Sequence, residues 1–177
     1  MIVKQVSFDS EARQDLIDGI NVLADAVKST LGARGQTVLI ESENHTKGIT
    51  VTKDGVTVAK SINLLHPTQN LAVSMMKEAA DKTAISAGDG TTTAIVITQA
   101  IVLEAQKRIK PHMNITDIIR AIQASSEYVV KELGKKAKKV NGKRLLDVAT
   151  ISSNNDKELG DIIAKAYQEV GDDGVVT

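Results

Sequence analysis

Apolar residues return every three or four positions through most of this chain, and that period limits the fold more than any other feature. A helix with one apolar stripe must bury it, and several such helices must bury their stripes on one another. From Asp9 or Ser10, either of them a candidate N-cap, the first stripe runs Ala12, Leu16, Ile20, Leu23, Val27, Leu31 and ends at Gly32. After Pro67 a second runs Leu71, Ala72, Met75, Met76, Ala79, Ala80, Thr83 and stops before Gly88. A third starts at Thr91 with Ala94, Ile95, Thr98, Ile101 and Val102 on one side. Pro111 punctuates the chain, and "NITD" opens a fourth helix through Ile115, Ile118, Ile119, Ile122, Val129, Val130 and Leu133. A fifth follows "LLDVATISSNND" and carries Leu159, Ile162, Ile163, Ala166 and Val170.

Between the first two helices the period changes. "TVLIE" (37 to 41), "GITVT" (48 to 52) and "VTVAK" (56 to 60) are rich in β-branched residues, and "KDG" between the last two is a short hairpin signal. The expected fold is therefore mainly α with one small antiparallel sheet. Only Phe8, Tyr128 and Tyr167 are aromatic, so the core has to be assembled from Ile, Val, Leu, Ala and Met. Composition shifts at "GKKAKKVNGKR" (134 to 144), which suggests a domain boundary close to residue 135, and the closing "VVT" reads as the start of a strand.

Composition also excludes some functions. The 22 basic residues balance 22 acidic ones, leaving no net field to recruit nucleic acid or an anionic membrane. Base-stacking platforms need aromatic rings, which are scarce here. There is no cysteine, which excludes disulfides and thiolate metal sites. No stretch approaches the roughly 20 apolar residues that span a bilayer. "MIVKQVSFDSEAR" reads as neither signal peptide nor anchor, so the expected location is cytoplasmic. His45, His66 and His112 are scattered without metal-ligand spacing. The basic residues from 131 to 144 read as a solvated helix end, or as an RNA-binding stretch whose affinity would fall steeply with salt.

The segment "SAGDGTTTAI" (86 to 95) is the most suggestive chemically. Three β-branched hydroxyl residues gain nothing in a helix interior, but at a helix start they add donors to the unpaired N–H groups and the positive end of the dipole. Gly88 and Gly90 let backbone approach a phosphate closely. Asp89 beside phosphates is intelligible as a ligand of Mg²⁺, a hard ion that takes oxygen donors. The alternative is that Gly88 ends one helix and Asp89 or Thr91 caps the next, with no ligand involved. "LGARG" (31 to 35) is similarly either a glycine C-cap and turn or a second segment whose backbone touches a nucleotide. Asp54 is either part of a hairpin turn or a carboxylate that orients an attacking water.

"INVLADAVKSTLGARG", "TKDGVTVAKSI", "AGDGTTTAIVITQAI", "ATISSNND" and "VGDDGVVT" stand in the order, and near the spacing, of the N-terminal part of group I chaperonins. The chain resembles that family over essentially all 177 residues. The resemblance implies an ATP-driven protein-folding subunit of equatorial, intermediate and apical domains, assembled with other chaperonin subunits in stacked rings. Residues 1 to 135 would be the N-terminal half of the helical, ATP-binding equatorial domain. Residues 136 to 177 would be the ascending part of an α/β intermediate domain. The hairpin around Asp54 would be a stem loop that contacts a neighbouring subunit.

Carried over residue by residue, the family's nucleotide contacts fall on Thr30, Leu31, Gly32, Lys53, Asp89, Gly90, Thr91, Thr92 and Thr93, and on Ile151 beside the adenosine. Asp89 matches the Mg²⁺ ligand, and Asp54 the acidic residue near the γ-phosphate and its attacking water. Thr30, Lys53 and Thr92 match the groups around a K⁺ ion. Ala33 and Arg34 depart from the family's pattern, which has proline and lysine there; because the matching contacts are largely made by backbone, binding is expected to survive, with a looser loop lowering affinity.

The apical polypeptide-binding surface for unfolded chains and co-chaperonin, a second catalytic carboxylate and the rest of the pocket would lie beyond Thr177. On its own the chain is then expected to turn over ATP weakly or not at all. The competing expectation is a non-catalytic assembly module that modulates or caps a full-length chaperonin.

Overall fold

The computed structural model describes residues 6 to 32, 34 to 41, 48 to 140, 142 to 171 and 174. The expected terminal strand at 175 to 177, His45 and Ala33 lie outside them. The described chain is mostly helical, with one two-stranded antiparallel sheet, and divides into two compact units, residues 1 to 111 and 112 to 177.

In the first unit, α1 (Asp9–Lys28), α3 (Pro67–Ala87) and α4 (Thr91–Arg108) pack around a core of Leu23, Ala24, Val27, Val73, Met76, Ala80 and Ile95. Leu23, Val27 and Val73 are wholly buried, each contributing about 1.5–3 kcal/mol of transfer free energy. The stripe on α1 is Ile17, Leu23, Ala24 and Val27, whereas Leu31 lies past the helix end and is exposed. Neither Asp9 nor Ser10 caps this helix: it begins at Asp9, after Phe8, with no side-chain cap. α1 and α3 cross so closely that a Cβ on Gly19 would overlap the carbonyl oxygen of Gln69. α3 starts with Pro67 in its first turn and ends on Gly88, whose φ of 73° is left-handed.

The sheet joins β1 (Val38–Glu41) to β2 (Ile49–Thr52), with Leu39 opposite Val51 and Glu41 opposite Ile49. Val38 and Ile40 lean on the core while Leu39, Ile49 and Val51 face outward. The hairpin expected at Asp54 does not form. Residues 56 to 60 belong to a helix, α2 (Gly55–Ser61), and the sheet lies wholly before Asp54. Asp54 caps α2, accepting from the backbone N–H groups of Val56 and Thr57. Val58 and Ala59 are then buried in the core. The helix penalty of β-branched residues is only a few tenths of a kcal/mol each, and one cap with two buried side chains exceeds it. Lys77 Nζ on α3 donates to the carbonyl oxygen of Lys60 at 3.1 Å, satisfying the end of α2.

The second unit contains α5 (Ile115–Lys136), α6 (Lys143–Ser152) and α7 (Lys157–Val170). Asn114 caps α5 through the Thr116 N–H. The expected fourth helix forms as α5, but it buries none of its residues, and Ile115, Ile119, Ile122, Val129, Val130 and Leu133 of the expected stripe are exposed. α6 was hidden in "LLDVATISS", read only as a lead-in to the following helix. Asn154 and Asn155 take left-handed φ values of 57° and 65° to turn α6 into α7, which Asp156 caps. α7 approaches so closely that a Cβ on Gly160 would lie 2.7 Å from Thr150 Cα. Among the described residues no helix is long and apolar enough to cross a membrane.

Candidate nucleotide-binding site

The segments singled out in the first unit sit at the ends of packed helices. α1 ends in a closed loop, in which the Gln36 N–H donates to Ser29 O at 2.7 Å and the Gly35 N–H to Gly32 O at 2.9 Å. Gly32 has a φ of 73°, which costs a glycine nothing. Leu31 and Gly32 are exposed; Thr30 is half-buried, with its Oγ1 donating to Val27 O at 2.8 Å. That bond uses the hydroxyl's only hydrogen, so toward any further group its oxygen can only accept.

The connection from α3 to α4 carries two left-handed glycines, Gly88 at 73° and Gly90 at 85°. Gly90 is the N-cap of α4, so no side chain satisfies the first-turn N–H groups of Thr91, Thr92 and Thr93. Thr91 is buried, Thr92 half-buried and Thr93 exposed. Asp89 is exposed, with Oδ1 accepting from the Gly90 N–H at 2.6 Å.

The start of α2 ties these segments together. Gly55 is buried so tightly that a Cβ there would overlap Thr92 Oγ1 and stand 3.2 Å from both Thr30 Oγ1 and Val27 Cγ1. The ends of α1 and α4 therefore meet at Gly55, beside Asp54. The Asp54 carboxylate is held from several sides. Oδ1 accepts from the Val56 N–H at 3.2 Å, and Oδ2 from the Thr57 N–H at 2.9 Å and Thr57 Oγ1 at 2.6 Å. Partial burial opposes its charge. The bonds from the Thr57 side chain and from the Thr57 and Val56 backbone, with attraction to Lys60, outweigh that and hold its carboxyl below the usual aspartate value. Lys53 is exposed at the end of β2.

Ile151 belongs to the second unit. It is 69% exposed on α6 and lines a crevice of about 470 Å³ with Leu146, Asp147, Thr150, Lys157 and Asp161. Sequence reasoning passed over Gly55 and Gln99. Gln99 is 3% exposed on α4, and a lone glutamine at a core position was the available signal.

The donor set suits a nucleotide with a hard cation. No cluster of three or more His, Cys, Asp or Glu side chains fit to hold a metal exists among the described residues. Mg²⁺ commonly takes one or two carboxylates plus phosphate oxygens, which one exposed aspartate at an uncapped helix start can accommodate.

Comparison with known proteins identifies the family. The model of the TCP-1/cpn60 chaperonin family matches residues 23–175. The chaperonin gp146 from the bacteriophage EL 2 (Pseudomonas aeruginosa), crystallised in the presence of ATP-BeFx, superposes with a TM-score of 0.80 at 31% identity over 94% of this chain. A group III chaperonin in the open state superposes with a TM-score of 0.73 at 25% identity over 92% of the chain. The chain spans 29% of the first of these proteins and 32% of the second. With the family model covering most of its length, the chain belongs to the TCP-1/cpn60 chaperonin family.

Proposed function

We propose that this chain is the ATP-binding portion of a chaperonin subunit of the group I kind. Nucleotide binding and hydrolysis would drive ring conformations that assist the folding of other proteins. The observation that carries the reading is the meeting of Thr30, Thr92 and Gly55 beside Asp54, at an α4 N-terminus that no side chain caps. A helix start with free N–H groups favours phosphate, and the flanking left-handed glycines leave its backbone approachable. Residues 1 to 135 then belong to the equatorial domain and 136 to 177 to the intermediate domain. Ring partners, unfolded polypeptides and a co-chaperonin would be engaged by the whole subunit, in the cytoplasm.

Asp89 would hold Mg²⁺, which neutralises phosphate charge when bound. Thr30 and Thr92 would offer hydroxyl oxygens to K⁺ near Lys53. Leu31, Gly32, Gly90, Thr91 and Thr93 would bind phosphate chiefly through backbone. Asp54 would accept a hydrogen bond from the attacking water. Its role needs an ionised carboxylate, which the bonds from Thr57 and Val56 favour.

Calorimetric titration of the full chain with Mg-ATP tests the reading. We expect saturable binding that weakens at least about tenfold in Asp89→Ala, a loss on the scale of one charge-assisted contact. An unchanged Kd in that variant overturns the assignment of Asp89. Native mass spectrometry with and without Mg-ATP tests ring assembly.

A further inference from the structure

α4 is fastened to α1 by one buried polar side chain. Gln99, 3% exposed, directs Nε2 to Asn21 Oδ1 at 2.7 Å and to Asp25 Oδ1 at 3.3 Å. Asn21 and Asp25 lie one turn apart on α1, so the amide sits across two successive rungs of one helix face. Asp25 Oδ1 also receives Lys28 Nζ at 3.4 Å, extending the network to the last residue of α1. On α4, Gln99 stands two turns beyond Thr92, and Thr91, Ile95 and Gln99 are the buried residues of that helix.

Apolar contact holds helices together without direction, whereas a hydrogen bond fixes rotation and register. Ile95 supplies adhesion between α4 and the core; the Gln99 bonds say where along α1 the helix must stop. Thr30 just beyond the end of α1 and Thr92 at the start of α4 are the groups that meet at Gly55. A small slip of α4 along α1 would separate them.

We propose that Gln99 is a positioning residue for the nucleotide site, clamping α4 in register on α1 so that the Thr30 and Thr92 ends stay together. The proposal rests on the reading of that site as nucleotide-binding. Gln99→Leu keeps the volume and removes the bonds.

At a temperature where the variant's circular dichroism remains native, we expect its affinity for Mg-ATP to fall by on the order of tenfold, within the range of coupling through packed helices. Asn21→Leu, which removes the shorter of the two Gln99 bonds, should weaken binding by no more than that, and the double variant should bind no worse than Gln99→Leu, because the Asn21 bond is already lost there. A Gln99→Leu protein that melts earlier but binds Mg-ATP with unchanged Kd overturns the proposal.

If the unaltered chain binds no Mg-ATP, the reading of the site fails first, and hydrogen exchange of the free protein then decides the clamp. Faster exchange in Gln99→Leu at the Ala94 amide, bonded to Gly90 O, and at the Gln36 amide, bonded to Ser29 O, keeps it. Unchanged exchange at both removes it.

Discussion

Replacing Gly55 with alanine adds one methyl group at the point where three segments meet, and its cost follows from what that group touches. The new Cβ would overlap Thr92 Oγ1 and press on Thr30 Oγ1 and Val27 Cγ1, each 3.2 Å away. To restore ordinary contact, Thr92 Oγ1 has to withdraw by on the order of an ångström, and it belongs to a helix whose next turn is locked by buried Ile95. Alanine in the first turn of α2 gains up to about 1 kcal/mol over glycine from propensity and unfolded-state entropy. Overpacking a tight site costs about 1–3 kcal/mol. The expected net is a modest destabilisation of about 1–2 kcal/mol, or a few degrees in Tm. The larger effect falls on the ligand: Thr30 and Thr92 are forced apart, so Mg-ATP affinity should drop about tenfold or more, far beyond what the stability change accounts for. Thermal melts followed by calorimetric titration of the same preparation measure both. A Gly55→Ala protein with native Tm and native Kd would refute the packing argument and the convergence built on it.

Asp54 gives a pH signature. Its folded carboxyl lies below the ordinary aspartate value, so the stability it contributes is whole above about pH 4 and is lost as pH falls through the lower folded value. Urea melts across that acid range should show a shallower pH dependence in Asp54→Asn, which keeps a cap acceptor, while Asp54→Ala should lose about 1 kcal/mol at neutral pH. Gly19→Ala should destabilise the first unit by about 1–3 kcal/mol despite the better helix propensity, because the Cβ meets backbone of Gln69 that cannot rotate away; chemical denaturation measures it. Gly160→Ala should loosen α7 from α6 by a similar amount, read as faster amide exchange along α7 with the first unit unaffected.

The sequence reveals those elements whose signals are local. Pro67, Gly88 and the stripe between them bound α3 correctly, and Asn114 marks the start of α5, because caps and breakers act within a turn of themselves. The elements that elude it are set by remote contacts. "DGVTVAK" has the composition of a strand after a turn, and the burial of Val58 and Ala59 against α1, α3 and α4, added to the Asp54 cap, makes it α2. α6 carries no strong N-cap, since Gly142 precedes it, so its short stripe went unread. For the site, Asp89, Gly90 and the threonines were legible as an exposed helix start. Gly55 was invisible as a contact, because nothing in "KDGV" says that residues 30 and 92 lie against it.

Asp54 reads in the sequence as part of a hairpin turn, and the structure makes it the cap of a helix. As an N-cap it spends one bond on Oδ1 and two on Oδ2, and an ionised carboxylate has about four acceptor positions. One position on Oδ1 therefore stays open. The two backbone bonds that cap α2, with the third from the Thr57 hydroxyl, also fix the carboxylate plane and favour its charge, so the residue that starts a helix is an oriented, ionised acceptor beside Gly55. Capping, and water orientation under the proposed function, impose the same demand on residue 54: a short side chain with a carboxylate. Glutamate, one methylene longer, would carry the charge past both the first-turn N–H groups and the point where Thr30 and Thr92 meet.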